Sequence, residues 1–173
     1  MPYPKNCIRG ILKANFVVKN QDSLYATAEL FEFRRSDKPD GMHEASINWD
    51  DDKKAIEFTF NQKKNEGALK YEGGVATLPR RELDKIRKLY GPMQFNYERE
   101  RRPGNKYHGN LLLNLTNMNP RISKMIRVVL AHYSKIHFRH EYSDLQPTGC
   151  LSNLASLFKS IASKVFLKKP KAF

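Results

Sequence analysis

Ile8-Arg9-Gly10-Ile11-Leu12-Lys13-Ala14-Asn15-Phe16-Val17-Val18-Lys19 is the stretch on which the fold turns. Ile8, Gly10, Leu12, Ala14, Phe16 and Val18 alternate with Arg9, Lys13, Asn15 and Lys19, the period of two expected of a half-buried strand. Asn20-Gln21-Asp22-Ser23 has turn chemistry, and Leu24 to Phe33 reads as a second strand, so the pair predicts a long hairpin.

Downstream, Ser36-Asp37-Lys38-Pro39-Asp40-Gly41 is a loop by composition, followed by a short strand through Ala45-Ser46-Ile47-Asn48-Trp49. Past the acidic turn Asp50-Asp51-Asp52, the residues Ile56, Phe58 and Phe60 alternate and predict a strand over 55–61. Leu69 to Ala76 predicts another, interrupted at Gly73-Gly74. The first helix is expected from Pro79 to Tyr90, with Leu83, Ile86 and Tyr90 as its apolar stripe and Gly91-Pro92 as its stop. Met93, Phe95 and Tyr97 alternate as a strand, a charged loop runs from Glu98 to Gly109, and Leu111-Leu112-Leu113 is a buried strand. Asn119-Pro120 opens a second helix, Asn as N-cap and Pro at the first helical position, with Ile122, Ile126, Val129, Tyr133 and Ile136 inward and an end near His140. Ser143 to Gly149 reads as a linker to a helix carrying Leu151, Leu154, Phe158, Ile161 and Val165 at helical spacing.

The expected class is α+β: an antiparallel or mixed sheet of about five to seven strands, two covering helices and a C-terminal amphipathic helix. Residues 1–142 form the domain, and 143–173 the linker and basic helix. At 173 residues the chain can bury a core without disulfides or metal. Cys7 and Cys150 have no Cys-x-x-Cys companion and are expected as free thiols. No run reaches the roughly 18 apolar residues of a membrane span. The opening Met-Pro-Tyr-Pro-Lys-Asn-Cys lacks the apolar stretch of a signal peptide, so a cytoplasmic location is the expectation.

Charge is distributed unevenly. Residues 1–60 carry a net −1, residues 61–110 a net +6 and residues 111–173 a net +8, which makes up the whole +13. A one-sided excess of this kind predicts a positive face for polyanions. Arg81, Lys85 and Lys88 recur at i, i+4 and i+7 opposite the apolar stripe of the first helix. Arg99, Arg101, Arg102 and Lys106 add charge on the loop that holds Tyr107 and His108, in a segment begun by Tyr97. Guanidinium forks grip phosphates and aromatic rings stack on unpaired bases, so the set suits RNA or single-stranded nucleic acid. Glu82, Asp84, Glu98 and Glu100 partly offset it.

His108 beside Gly109 and Asn110 is the one weak candidate for acid–base chemistry; a structural turn with Asn110 capping the backbone is the expected role. Glu44, Asp50, Asp51, Asp52 and Glu57 are cation-binding types, but their spacing matches no motif and a solvated turn is expected. His132, His137 and His140 are expected on the second helix in cap and surface roles. There is no G-x-S-x-G, no Walker loop and no dinucleotide glycine fingerprint, and no cofactor or metal is expected.

The functional expectation is a basic, non-catalytic module that binds RNA or single-stranded nucleic acid, within a larger assembly. Two alternatives stand beside it. One is a small nuclease using His108 with nearby Arg or Tyr groups. The other is an adaptor that docks a protein partner, or a second copy, through Leu154, Phe158, Ile161 and Val165 in residues 151–167. The lysines flanking that stripe could also meet an anionic membrane, the weaker expectation.

Overall fold

The computed structural model describes residues 3–20, 23–36, 38 and 41–139. The linker and C-terminal helix expected over 143–173 lie outside them, as do Cys150 and His140. Among the described residues the elements run β1 (Asn6–Gly10), β2 (Val17–Asn20), β3 (Ser23–Ala26), β4 (Arg34–Arg35), β5 (Met42–Trp49), α1 (Lys54–Phe60), β6 (Val75–Pro79), α2 (Arg80–Tyr90), β7 (Phe95–Arg99), β8 (His108–Asn114), α3 (Pro120–His132) and β9 (Lys135–His137). Short 3-10 turns occupy Ala14–Phe16 and Ala28–Phe31. The fold is α+β, as the alternation of patterns predicts.

The main sheet is antiparallel throughout and ordered β7-β8-β5-β1-β6-β9, with β4 also on β5. β1 pairs with β5 at Trp49 and Asn48, and β4 pairs with it at Glu44 and His43. Between them the Ser46 carbonyl would lack a partner. Arg9 supplies it, donating from Nη1 to Ser46 and from Nε to the Leu30 carbonyl at 3.1 Å. Successive strand residues point to opposite faces. Cys7, Ile47, Trp49, Leu78, Phe95, Leu111 and Leu113 meet Leu83 and Ile86 of α2 and Ile126 and Leu130 of α3 in the main core. Ile8 and Val75 point the other way, onto Ala55 and Phe60 of α1. The sheet therefore lies between α2 and α3 on one side and α1 on the other.

Several expectations are corrected. The long first strand ends at Gly10, where the Ile11 amide donates to Gly74 at 2.9 Å and the chain turns away. The hairpin exists but is short, with Val17 opposite Ala26 and Asn20 opposite Ser23. Phe16 is only half-buried beside it. Residues 54–60 are helical, not a strand. The Asp52 carboxylate accepts the Lys54 amide at 2.9 Å, one of the amides a helix start leaves open, and Thr59 Oγ1 donates to the Ala55 carbonyl at 2.8 Å. Ala55 and Thr59, four apart, are the buried pair that the alternation of phenylalanines conceals. The strand expected over 69–76 begins only at Val75, after the turn at Gly73-Gly74, and runs to Pro79.

α2 starts one residue later than expected, and Leu83 and Ile86 are its buried stripe. Asn119 caps α3 as expected, its side chain accepting the Arg121 amide at 2.8 Å. α3 stops at His132, however, and Ile136 is buried from β9 rather than from a helix. His137 is thus a strand residue opposite Val75 rather than a residue of the second helix. Cys7 is buried, and burial pushes its thiol up to about 12. No helix among the described residues is long and apolar enough to cross a membrane.

Candidate nucleic-acid interface

The loop between β7 and β8 is shaped by Arg102-Pro103-Gly104-Asn105. Pro and Gly occupy the central positions, with Gly104 at φ 75°, the arrangement of a type II turn. Arg102 and Asn105 close it with reciprocal backbone hydrogen bonds of 3.1 and 2.9 Å. The turn projects beside α1, and the two enclose an open cleft of about 680 Å³. Lys54, Phe58 and Asn61 line one wall at i, i+4 and i+7 of the helix; Arg102, Asn105 and Lys106 line the other, with Tyr107 below. Glu57 is the one acid in the lining.

The walls are tied together by side chains. Asn105 donates to Asn48 Oδ1 at 2.9 Å, and Asn48 donates to Thr59 at 2.8 Å, joining the turn to α1 through β5. The Tyr107 ring lies 5.2 Å from Phe58 and its hydroxyl donates to Asp52 at 2.9 Å. Lys106 Nζ sits 4.8 Å above the same ring and 3.4 Å from Asp52. Burial pushes the Asp52 carboxyl up, but hydrogen bonds from Tyr107, the Lys54 amide and Lys106 outweigh it and hold it below the usual range. At the end of α1, Arg139 donates to Asn61 Oδ1 at 2.9 Å and to the Phe60 carbonyl.

The predicted cations fall into separate places. Arg102 and Lys106 reach the cleft. Arg99 is on the opposite face of β7, paired with Asp51 and facing the Tyr3 ring at 5.9 Å. Arg81 and Lys85 both bind the carboxylate of Glu82, which is 3% exposed. Lys88 and Arg101 have no ion pair among the described residues, and neither has Lys54. Tyr97 belongs to the core, its ring 5.6 Å from Trp49. Tyr107 is 3% exposed and floors the cleft, leaving half-exposed Phe58 as its accessible ring.

His108 is a strand residue, not a loop residue, and is 6% exposed. Gly109 does allow a close approach, but to Trp49: an added Cβ would lie 2.3 Å from the indole Nε1. Asn110 does not cap the backbone as expected. It donates to Glu100 at 2.7 Å and Glu98 at 3.3 Å. Strand register explains the cluster, since Ser46, Asn110 and Glu98 form one cross-strand row and Asn48, His108 and Glu100 the next. Lys38 closes over it, 2.7 Å from Glu98 and 3.7 Å from Glu100. A hydrogen bond from Arg102 chiefly holds Glu100 below its ordinary range, while burial chiefly holds His108 below its own. His108 Nε2 stands 3.7 Å from Glu100 and has no hydrogen bond.

No family model, curated protein or solved structure matches this chain significantly. The site therefore rests on its geometry.

Lys54, Phe58, Asn61 and Asn105 were not picked out by the sequence reading. The signal for the first three is the 54–58–61 helical spacing, which becomes readable once Asp52 is taken as the start of a helix, and that for Asn105 is its place closing the turn at Pro103-Gly104. Glu98 carries a second signal, a polar residue beside the buried Tyr97 in β7, and Glu100 follows at the same period just past the end of the strand. Asp50 accepts from Asn6 at 3.2 Å, so with Asp51 and Asp52 the acidic turn is engaged by protein groups. Among the described residues no group of three or more His, Cys, Asp or Glu side chains is arranged to hold a metal ion.

Proposed function

We propose that the cleft between α1 and the β7–β8 turn binds single-stranded nucleic acid, with RNA the favoured form. The observation that carries this reading is the cleft lining: Lys54, Arg102 and Lys106 surround a half-exposed Phe58 in an open groove. Cations spaced around an aromatic platform serve phosphates and bases together. Asn61 and Asn105 add amide groups for base edges, although Asn61 already accepts from Arg139 and Asn105 already donates to Asn48 and accepts from the Tyr107 amide. The net charge of +13 supports attraction from a distance.

The test is fluorescence anisotropy with a labelled single-stranded RNA, the same sequence as single-stranded DNA, and a duplex. Single strands should bind more tightly than duplex, and Phe58→Ala should weaken single-strand binding by about 1–3 kcal/mol, the worth of one stacked base. Equal affinity for duplex, with no effect of Phe58→Ala, would remove the cleft reading.

A second reading, metal-independent RNA cleavage, is favoured by the unpartnered His108 Nε2 beside Glu100. Its burial speaks against direct contact with a substrate. Incubating the RNA with the chain and with His108→Ala separates the two: cleavage lost in the variant supports the enzyme, and intact RNA in both supports the binding module.

A further inference from the structure

α2 and α3 leave between them a groove of about 270 Å³ on the side of the sheet opposite the cleft. Ile86 and Leu89 of α2 face Met125 and Val129 of α3, with Tyr133 at one end. Leu89 is 74% exposed and Met125 49%, so large apolar side chains cluster here in contact with solvent. The lining residues span 82–90 on one helix and 125–133 on the other, about 12 Å of axis each at 1.5 Å per residue. A docked helix that presents residues i, i+4 and i+7 covers a similar length, about 10.5 Å.

Lys85 is the one cation in the groove lining, and further cations flank the groove on both helices. Arg81, Lys85 and Lys88 form one row on α2, and Arg121 lies one turn before Met125 on α3. The acid in the lining, Glu82, is already neutralised by Arg81 and Lys85. We propose that this groove docks an acidic amphipathic helix of a partner protein. Its apolar stripe would cover Leu89 and Met125, and its carboxylates would meet Lys88 and Arg121, which have no ion pair among the described residues. The chain's own residues 151–167 fit poorly by charge, carrying Lys159 and Lys164 and no acid. Nucleic acid would satisfy the cations and leave an aliphatic and thioether floor bare.

The experiment uses the full chain and two labelled synthetic helical peptides with leucines at i, i+4 and i+7, one flanked by glutamates and one by lysines. The glutamate peptide should bind at least about tenfold more tightly than the lysine peptide. Leu89→Asp with Met125→Asp should abolish that binding. Lys88→Glu with Arg121→Glu, at exposed positions that leave the floor intact, should reverse the preference. Melting curves close to wild type establish that each variant is folded. Equal binding of both peptides, or binding indifferent to both double variants, overturns the proposal. Three other results also overturn it by naming a different occupant. Tighter peptide binding after Phe158→Asp with Ile161→Asp assigns the groove to the chain's own segment. Self-association in light scattering that Leu89→Asp abolishes assigns it to a second copy. Flotation with phosphatidylserine vesicles that Leu89→Asp abolishes assigns it to membrane.

Discussion

Gly109→Ala should destabilise the protein strongly, although alanine ordinarily favours a strand over glycine. Gly109 has no positive φ, so alanine fits the backbone and would by itself be worth up to about 1 kcal/mol through the unfolded chain. The obstacle is packing. The new Cβ would stand 2.3 Å from Trp49 Nε1 and 2.4 Å from the Glu98 carbonyl, the two atoms that share a 3.1 Å hydrogen bond. Trp49 is fully buried and Glu98 O is backbone, so neither can yield cheaply. Overpacking costs about 1–3 kcal/mol, and a buried indole left without its acceptor costs about 1–3 kcal/mol more. The net expectation is a loss of about 2–5 kcal/mol, or a melting temperature lowered by roughly 5–15 °C for a chain of this size. Trp49→Phe removes the indole nitrogen, so the glycine change should cost about 1–2 kcal/mol less in that background. A Gly109→Ala protein melting within about 2 °C of wild type would refute the reasoning, since the clash alone exceeds that.

Thr59→Val should cost about 1–3 kcal/mol in urea unfolding, because it leaves Asn48 Nδ2 buried without an acceptor; an unchanged midpoint would show that the link between α1 and β5 is dispensable. Burial first, then Arg102, holds the His108 pKa below its ordinary value, so between the folded value and about 6.5 the unfolded chain binds the proton more readily. This contribution is complete above about pH 6.5 and is lost as pH falls below it, and melting from pH 8 to 5 should decline less steeply for His108→Gln than for wild type. Parallel curves would show that His108 titrates alike in both states.

The elements legible in the sequence were those whose local signals agree with their tertiary setting. α3 begins where Asn119-Pro120 says it should, and α2 buries the expected Leu83 and Ile86. β8 is buried along its length, as Leu111-Leu112-Leu113 implies. α1 was misread because seven residues give barely two helical turns, too few to separate a period of 3.6 from alternation at Ile56, Phe58 and Phe60. That error hid Lys54 and Asn61 from the site. β9 was absorbed into the preceding helix because Ile136 continues its apolar spacing, although Tyr133 and Ser134 already turn the chain with bonds to Val129 and Ala131. Gly109 suggested a loop, yet it is a strand glycine selected by the Trp49 indole. The distribution of cations was readable in number but not in place. Only the pairing of Arg81 and Lys85 with Glu82, and of Arg99 with Asp51, divides one expected patch into a groove rim, a structural pair and a cleft.

The salt dependence of single-stranded RNA binding tests the proposed cleft most directly, comparing wild type with a Lys54→Ala, Arg102→Gln, Lys106→Ala variant that melts as a folded protein. Each cation on a phosphate adds about 0.7 to the slope of log affinity against log salt. The variant should therefore bind more weakly at low salt, with a slope shallower by about 2. An affinity and slope equal to wild type would contradict the account and exclude this cleft as the nucleic-acid surface.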